Sequence, residues 1–556
     1  MSNNASPIFN QLGFTPKSQK TVVFTECGPW DLNVYDENGE KVLTASPSKA
    51  GEWEYSGETV QSYDLTTLNK PGQYYLIRNN KRFDLPLTIS IDVYHGLAKS
   101  SLKWFYYQRA SMELEKKYAG KWARAAGHSD IHVKVYDDPN RFISAPKGWY
   151  DAGDYGKYIV NSAISVFTLL QLEEHFPEYV KNLKWNIPED EQIQNLPDLL
   201  SEVKYNLDWM LAMQESDGGV FHKLSTLKFC PHYAPAQDTA DRYVIGKTTS
   251  ATLDFAGNMA QASILFSKYD SEYADRMLEA AKKAWRWAKK NPRTFFKQPH
   301  DVNTGLYVPP NEDAKSNFRF AATELFRATG NDEYAQELQE NPLTTDIPWW
   351  GNLNFLAIYH IALNEKYSQS GLLHSFDSSL VQKATKILLN EADSLCKISK
   401  NSIYKVAMRP EDWTWGSNGV AANNGIILLH AYYLTQKRDY LDAAQQILDY
   451  LLGKNPLQIC YVTGFGHKSP MHPHHRPSEG DCVVEPIPGM LAGGPHLGAQ
   501  DVHRGLWVHE DYTASRKPAL AYMDHEDSFA TNEVAINWNA PLAYLAAALN
   551  ALYRGI

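Results

Sequence analysis

Asp151 and Asp154 stand three residues apart in GWYDAGDYGKY, among aromatic residues and glycines and just ahead of the apolar run YIVNSAISVFTLLQLEEHF. Two further segments carry reactive side chains. TGFGHKSPMHPHHRPS, at 463–478, holds His474 and Arg476, and YMDHEDSFATNEVAINWNAP, at 522–541, holds Asp524 and Glu533. An Asp before a helix also caps backbone N–H groups, so the first segment alone leaves capping and catalysis open. Together the three segments supply what acid–base cleavage of a glycosidic bond needs. One carboxylic acid protonates the leaving oxygen, and a second carboxylate activates water or attacks the anomeric carbon. A neighbouring His and Arg bind hydroxyls and tune those carboxylates. HPHH also raises zinc, but the adjacent His474 and His475 project in different directions and the segment has no cysteine.

The elements that must position these groups divide the chain in two. Residues 1–88 hold short β-rich stretches (KTVVFTE, DLNVYDE, EKVLTAS, QSYDLTT, GQYYLIR) separated by Gly, Pro, Asn and Asp turns, the pattern of a small β-sandwich. Residues 89–556 are mainly helical, with runs starting near Val93, Tyr155, Asp198, Ser250, Ser271, Ser316, Gly351, Asp377, Gly419 and Trp538. In YLDAAQQILDYLLGKNP, Leu441, Ala444, Leu448, Leu451 and Leu452 share one face, Gly453 ends the helix and Pro456 blocks its continuation. About a dozen such helices, joined by long loops rich in Trp, Tyr and His, predict a ring of helices with its loops gathered at one end.

Composition narrows the function. A net charge of −10 argues against a nucleic-acid partner. No run of 18 apolar residues predicts a membrane span, and the first residues lack the pattern of a secretory signal. Five scattered cysteines without a CxxC fit a reducing compartment, so a cytoplasmic location is expected. The 15 Trp and 33 Tyr suit either a large core or a groove that stacks sugar rings.

These motifs resemble glycoside hydrolase family 9 over nearly the full length. FYYQR, GWYDAGDYGKY, WMLAMQESDGGVFHK, WTWGSNG, GFGHKSPMHPHHR and DSFATNEVAINWNAPL occur in the family's order. Gly466, Pro473, His474 and Arg476 fit one family signature; Tyr522, Asp524, Phe529, Glu533, Ala535, Asn539 and Ala540 fit the other. The resemblance implies an (α/α)6 barrel preceded by an Ig-like sandwich. It implies Asp154 as general base, Asp151 as a holder of the nucleophilic water, and Glu533 as general acid. His474, Arg476 and Asp524 are implied as cleft residues. Tyr150, Trp413 and Trp415 are expected to contact sugar, with core packing the alternative for the two tryptophans. The family inverts, so Asp154 and Glu533 are expected roughly 6.5–9.5 Å apart, leaving room for water.

Two departures matter. Relatives often carry zinc-binding cysteines where this chain has Ala110 and Gly127, so neither metal nor cofactor is expected. Many relatives also have Asp-x-Arg where this chain reads DHED, which bears on contacts near Asp524. The expected partner is an oligosaccharide. A cytoplasmic enzyme meets short chains, so exo action on gluco- or glucosamino-oligosaccharides is expected, with 479–503 walling one end of the cleft. The alternatives are an endo-β-1,4-glucanase and a carbohydrate-binding protein without catalysis.

Overall fold

The computed structural model describes residues 6–367 and 373–555. Its N-terminal unit is a sandwich of two antiparallel sheets. One is ordered β1 (Thr21–Phe24), β5 (Glu58–Asp64), β4 (Pro47–Trp53); the other β3 (Lys41–Ala45), β2 (Leu32–Asp36), β6 (Gly72–Arg78), β7 (Lys81–Ile89). Alternation directs Tyr74, Leu76 and Arg78 of β6 inward, and Phe24, Val34, Tyr63, Leu76 and Phe83 meet between the sheets. Strands β4 and β7 are absent from the sequence reading. β4 is polar and buries only Trp53, while β7 carries Pro86, which an edge strand accommodates because no ladder N–H is needed there.

The rest is an (α/α)6 barrel. The outer helices are α1 (His95–Tyr107), α3 (Asp198–Ala212), α5 (Ser271–Lys290), α7 (Asp332–Glu340), α9 (Ser378–Asn401) and α11 (Arg438–Leu451). They alternate along the chain with the inner helices α2 (Ile159–His175), α4 (Thr249–Phe266), α6 (Lys315–Thr329), α8 (Asn354–Tyr367), α10 (Ser417–Thr435) and α12 (Ile536–Arg554). Each inner helix packs against the next, and α12 closes the ring on α2. Sequence pattern follows position. Outer α5 buries one stripe, Tyr273, Met277, Ala281, Ala284, Trp285 and Ala288, whereas inner α2 is buried nearly all round. Gly453 has φ 119°, which fits its place just past α11. α7 was not among the helix starts read from the sequence. It is short, and its opening rests on Asn331, whose side chain accepts from Glu333 N–H.

A five-stranded sheet was also not foreseen: β10 (Lys157–Tyr158), β11 (Phe221–Thr226), β12 (Arg242–Lys247), β8 (Val133–Val135), β9 (Asp138–Ile143), in that spatial order. It lies in the loops that enter the inner helices. Sandwich and barrel share packing. Trp53 meets Tyr404 at 4.7 Å and Trp413 at 5.9 Å, and Asn10 donates to Asp449 Oδ1 at 2.8 Å.

Candidate active site

The reactive segments are loops that lead into inner helices: 148–158 into α2, 463–535 into α12. Ile536 N–H, at the start of α12, donates to the Asp151 carbonyl at 2.8 Å and so ties the two helix entries together. His474 N–H donates to Asn532 O at 2.9 Å, and His474 pairs with Glu533 as an isolated parallel bridge. Gly153 lies against this bridge. A Cβ there falls 2.2 Å from the His474 carbonyl oxygen, so only glycine permits the approach. The Gly153 backbone N–H faces the Glu533 carboxylate and favours its ionised form.

Asp151 is fully buried. Asn161 Nδ2 donates to both its oxygens, at 2.9 and 3.0 Å, and the Tyr307 hydroxyl donates at 2.7 Å. Burial, then the neighbouring Asp154, pushes its carboxyl up to about 8. Asp154 accepts from Gly156 N–H at 2.9 Å and from the Tyr158 hydroxyl at 3.3 Å. Burial raises it as well, opposed by Arg476 and by these donors. Glu533 is held well above the usual carboxylate range, by burial first and then by Asp154 and Asp151, with Arg476 opposing. Asp154 and Glu533 thus share one nearby guanidinium, and Asp151 lies beside Asp154. The strong upward push on Glu533 favours its protonated form, while the guanidinium and the Gly156 and Tyr158 donors favour the ionised form of Asp154. That is the division between a general acid and a general base.

Arg476 is fixed by its own donors: Nε to Cys230 O at 2.8 Å and Nη1 to Gly153 O at 2.9 Å. His474 is pushed down to about 3 by burial and Arg476, so its ring is neutral. A carbonyl only accepts, so the 2.5 Å contact with Glu526 O places the proton on Nδ1 and leaves Nε2 as an acceptor for a sugar hydroxyl. Farther back, Gln108 of the FYYQR stretch donates to Ala152 O at 3.1 Å, and its Oε1 meets the buried His475 Nε2 at 2.9 Å.

The glycosyl hydrolase family 9 profile matches residues 94–546, and the cellulase N-terminal Ig-like domain profile matches residues 5–82. The chain belongs to glycosyl hydrolase family 9. It is 39% identical to the xyloglucan-specific endo-β-1,4-glucanase BoGH9A of Bacteroides ovatus, over 98% of this chain and 93% of that one. It is 32% identical to a cellodextrinase of Butyrivibrio fibrisolvens, over 97% and 98%. The solved structure of a Bacteroides ovatus family 9 protein superposes with a TM-score of 0.89 at 36% identity, over 99% of both chains.

For this family 9 hydrolase, several expected sugar contacts need correction. Tyr150 is fully buried and its hydroxyl is engaged by His128 Nδ1 at 2.7 Å, so it lies behind the site. Trp413 is 7% exposed and packs on Trp53, Tyr55 and Tyr450 at the sandwich junction, so its ring serves the core. Asp524 accepts from Met471 N–H at 2.8 Å, His472 N–H at 3.0 Å and Asn532 Nδ2 at 3.0 Å; it fastens the His474 segment to the Glu533 segment. Trp415 is half-buried against Phe529 at 5.5 Å, and Phe529 lies 6.1 Å from His474. Segment 479–503 does not stand as a wall throughout. Met490, Leu491 and Ala492 are buried, and Gly493 N–H donates to Glu533 O at 2.7 Å.

Other residues of the site escaped the sequence reading. Tyr307 and Tyr158 hold the two aspartates, and the Tyr307 ring packs edge-on against Trp350 at 5.1 Å, with Trp349 4.7 Å farther out and 40% exposed. The WW pair just before a helix was the available signal. The residues present do not fit the zinc site of relatives. Ala110 and Gly127 lack thiolates, and a Cβ at Gly127 falls 2.5 Å from Pro235. Hydrogen bonds fasten that loop instead, through His128 to Tyr150 and Arg242 Nε to Asp130 Oδ1 at 2.8 Å.

Proposed function

We propose that this family 9 hydrolase cleaves β-1,4-linked glucan chains internally, with inversion. Asp154 draws a proton from water, Asp151 helps hold that water, and Glu533 protonates the departing glycosidic oxygen. The carrying observation is the cluster of two buried aspartates and the half-buried Glu533, in which Arg476 faces Asp154 and Glu533 and the surroundings drive Glu533 well toward its protonated form. A protein that only binds carbohydrate has no need of that division.

Internal cleavage rests on what borders the carboxyls. Trp349 and Trp350 approach through Tyr307, Trp415 and Phe529 approach through His474, and Phe229 lies 5.5 Å from the Arg476 guanidinium. Flat rings on several sides suit an extended chain of pyranoses better than a single terminal sugar. The relatives' names, a xyloglucan-specific endo-β-1,4-glucanase and a cellodextrinase, lend weight to a neutral glucan over a glucosaminide. The test is hydrolysis of a soluble β-1,4-glucan, following viscosity, reducing ends and product anomer. A fast fall in viscosity with few new reducing ends, and α-anomers first, is expected. Monosaccharide released one unit at a time at constant viscosity overturns internal cleavage.

A further inference from the structure

Beside the cleft, outside the acid–base machinery, two histidines and an aspartate converge. His509 and His525 have ring centroids 4.2 Å apart, and both rings pack on Trp507, at 4.6 and 5.4 Å. Asp527 Oδ2 faces both, 3.6 Å from His509 Nε2 and 3.8 Å from His525 Nδ1. One ligand atom from each of the three lies within 4.8 Å of the other two. All three side chains are open to solvent, at 40%, 30% and 54% exposure, so an ion reaches them without the fold opening. Glu526 adds a second carboxylate 3.7 Å from His525 Nδ1.

We propose that His509, His525 and Asp527 form a binding site for a first-row divalent transition metal, zinc being the simplest case. Two imidazoles and a carboxylate are the borderline N/O set such ions prefer, and calcium or magnesium would want oxygen alone. Tetrahedral zinc with ligand bonds near 2.0–2.1 Å sets its ligands about 3.3 Å apart, so the trio needs only small side-chain rotations to close. The Asp527 N–H rests on His525 Nδ1 at 3.1 Å; the ion takes that nitrogen by displacing this turn contact, or takes Nε2. Three protein ligands leave a fourth position for water.

The site is a clip. His509 belongs to a turn whose Trp507 Nε1 donates to Glu510 O at 2.8 Å. His525 and Asp527 belong to the loop whose Asp524 and Glu526 hold the His474 segment. A bound ion joins the two and stabilises the native state by mass action.

The test uses the full chain, stripped with chelator and titrated with Zn2+ by calorimetry, with the Co2+ visible spectrum as a second readout. The expected result is one equivalent bound, a rise in melting temperature, and a Co2+ band typical of four-coordinate nitrogen and oxygen ligands. His509→Ala and Asp527→Asn should each weaken binding by more than the ~10-fold that even an outer partner of a metal site is worth. His300→Ala, an exposed histidine elsewhere, should bind as the wild type does. Both ligand variants change exposed side chains, and their melting without metal checks that they fold. Absence of saturable binding to the wild type, or undiminished binding in the His509→Ala/Asp527→Asn double variant, overturns the proposal.

Discussion

Two clusters of carboxylates beside the inner helices differ in their surroundings. Toward the C-terminal ends of α2 and α6, Glu174 and Glu324 flank Arg327, which donates through Nη2 to Glu174 at 2.9 Å and through Nη1 to Glu324 at 2.7 Å. His360 of α8 approaches Glu324 at 2.5 Å. Burial pushes Glu174 up, but Arg327 and then His360 outweigh it and hold the carboxyl below its usual range. At the helix entries, Asp154 and Glu533 share Arg476, which commits two of its nitrogens to backbone carbonyls, Asp151 adds a third carboxyl beside Asp154, and there burial prevails. The first cluster sets a guanidinium and an imidazole against two carboxylates and joins helices α2, α6 and α8. The second is under-neutralised, which favours the protonated form of its members. One barrel thus carries carboxylates that stabilise and carboxylates that react, separated by the supply of cations.

Removing the reactive pair should have the largest effect. Asp154→Ala and Glu533→Gln should each lower turnover by about 10²–10⁴-fold, measured on soluble glucan, while circular dichroism stays native. An activated aryl glycoside should partly restore Glu533→Gln, since a good leaving group needs little protonation, and should not restore Asp154→Ala.

Breaking the first cluster should act on stability. Arg327→Met leaves two carboxylates buried without their cation and should cost about 3–5 kcal/mol, read as a lower denaturation midpoint. Trp53→Ala, at the junction with the sandwich, should cost a similar amount, about 3–5 kcal/mol, which would mark the sandwich as a structural brace. A smaller effect belongs to the stacking surface. Trp350→Ala should lower kcat/KM by roughly five- to tenfold, the worth of about 1 kcal/mol in an aromatic contact.

The smallest effect is one of pH on stability. Glu533 has its folded-state pKa raised above the ordinary 4.5. The folded chain therefore binds more protons than the unfolded chain above that pH, and stability falls as pH rises toward the folded-state value. Glu533→Gln lacks this loss, so its melting temperature should gain on the wild type progressively above about pH 4.5. A constant offset across pH 4–8 would count against a protonated Glu533.

Much of this was legible in the sequence, and the exceptions share a cause. Helices with a one-sided stripe or a long apolar run announced a ring of helices, and the resemblance of the motifs holding Asp151, Asp154, His474, Arg476 and Glu533 to those of family 9 pointed to residues that the structure brings together. Trp413 and Tyr150 misled, since an aromatic in a family motif reads the same whether its ring meets a ligand or, as here, a domain junction and a histidine. Tyr307, Trp350 and the trio of His509, His525 and Asp527 acquire meaning only when distant loops converge at the helix entries. The short β-sheet went unread because its strands are brief and fully buried segments such as β11 show no alternation.

The most direct test of the central claim is the pH dependence of kcat/KM on an aryl glycoside of intermediate leaving ability, for the wild type, Glu533→Gln and Asp154→Ala. The account predicts a bell for the wild type, with the acid limb from Asp154 and the alkaline limb from Glu533. Glu533→Gln should keep the acid limb and lose the alkaline one. A Glu533→Gln profile that retains the wild-type alkaline limb would contradict the assignment of the proton to Glu533.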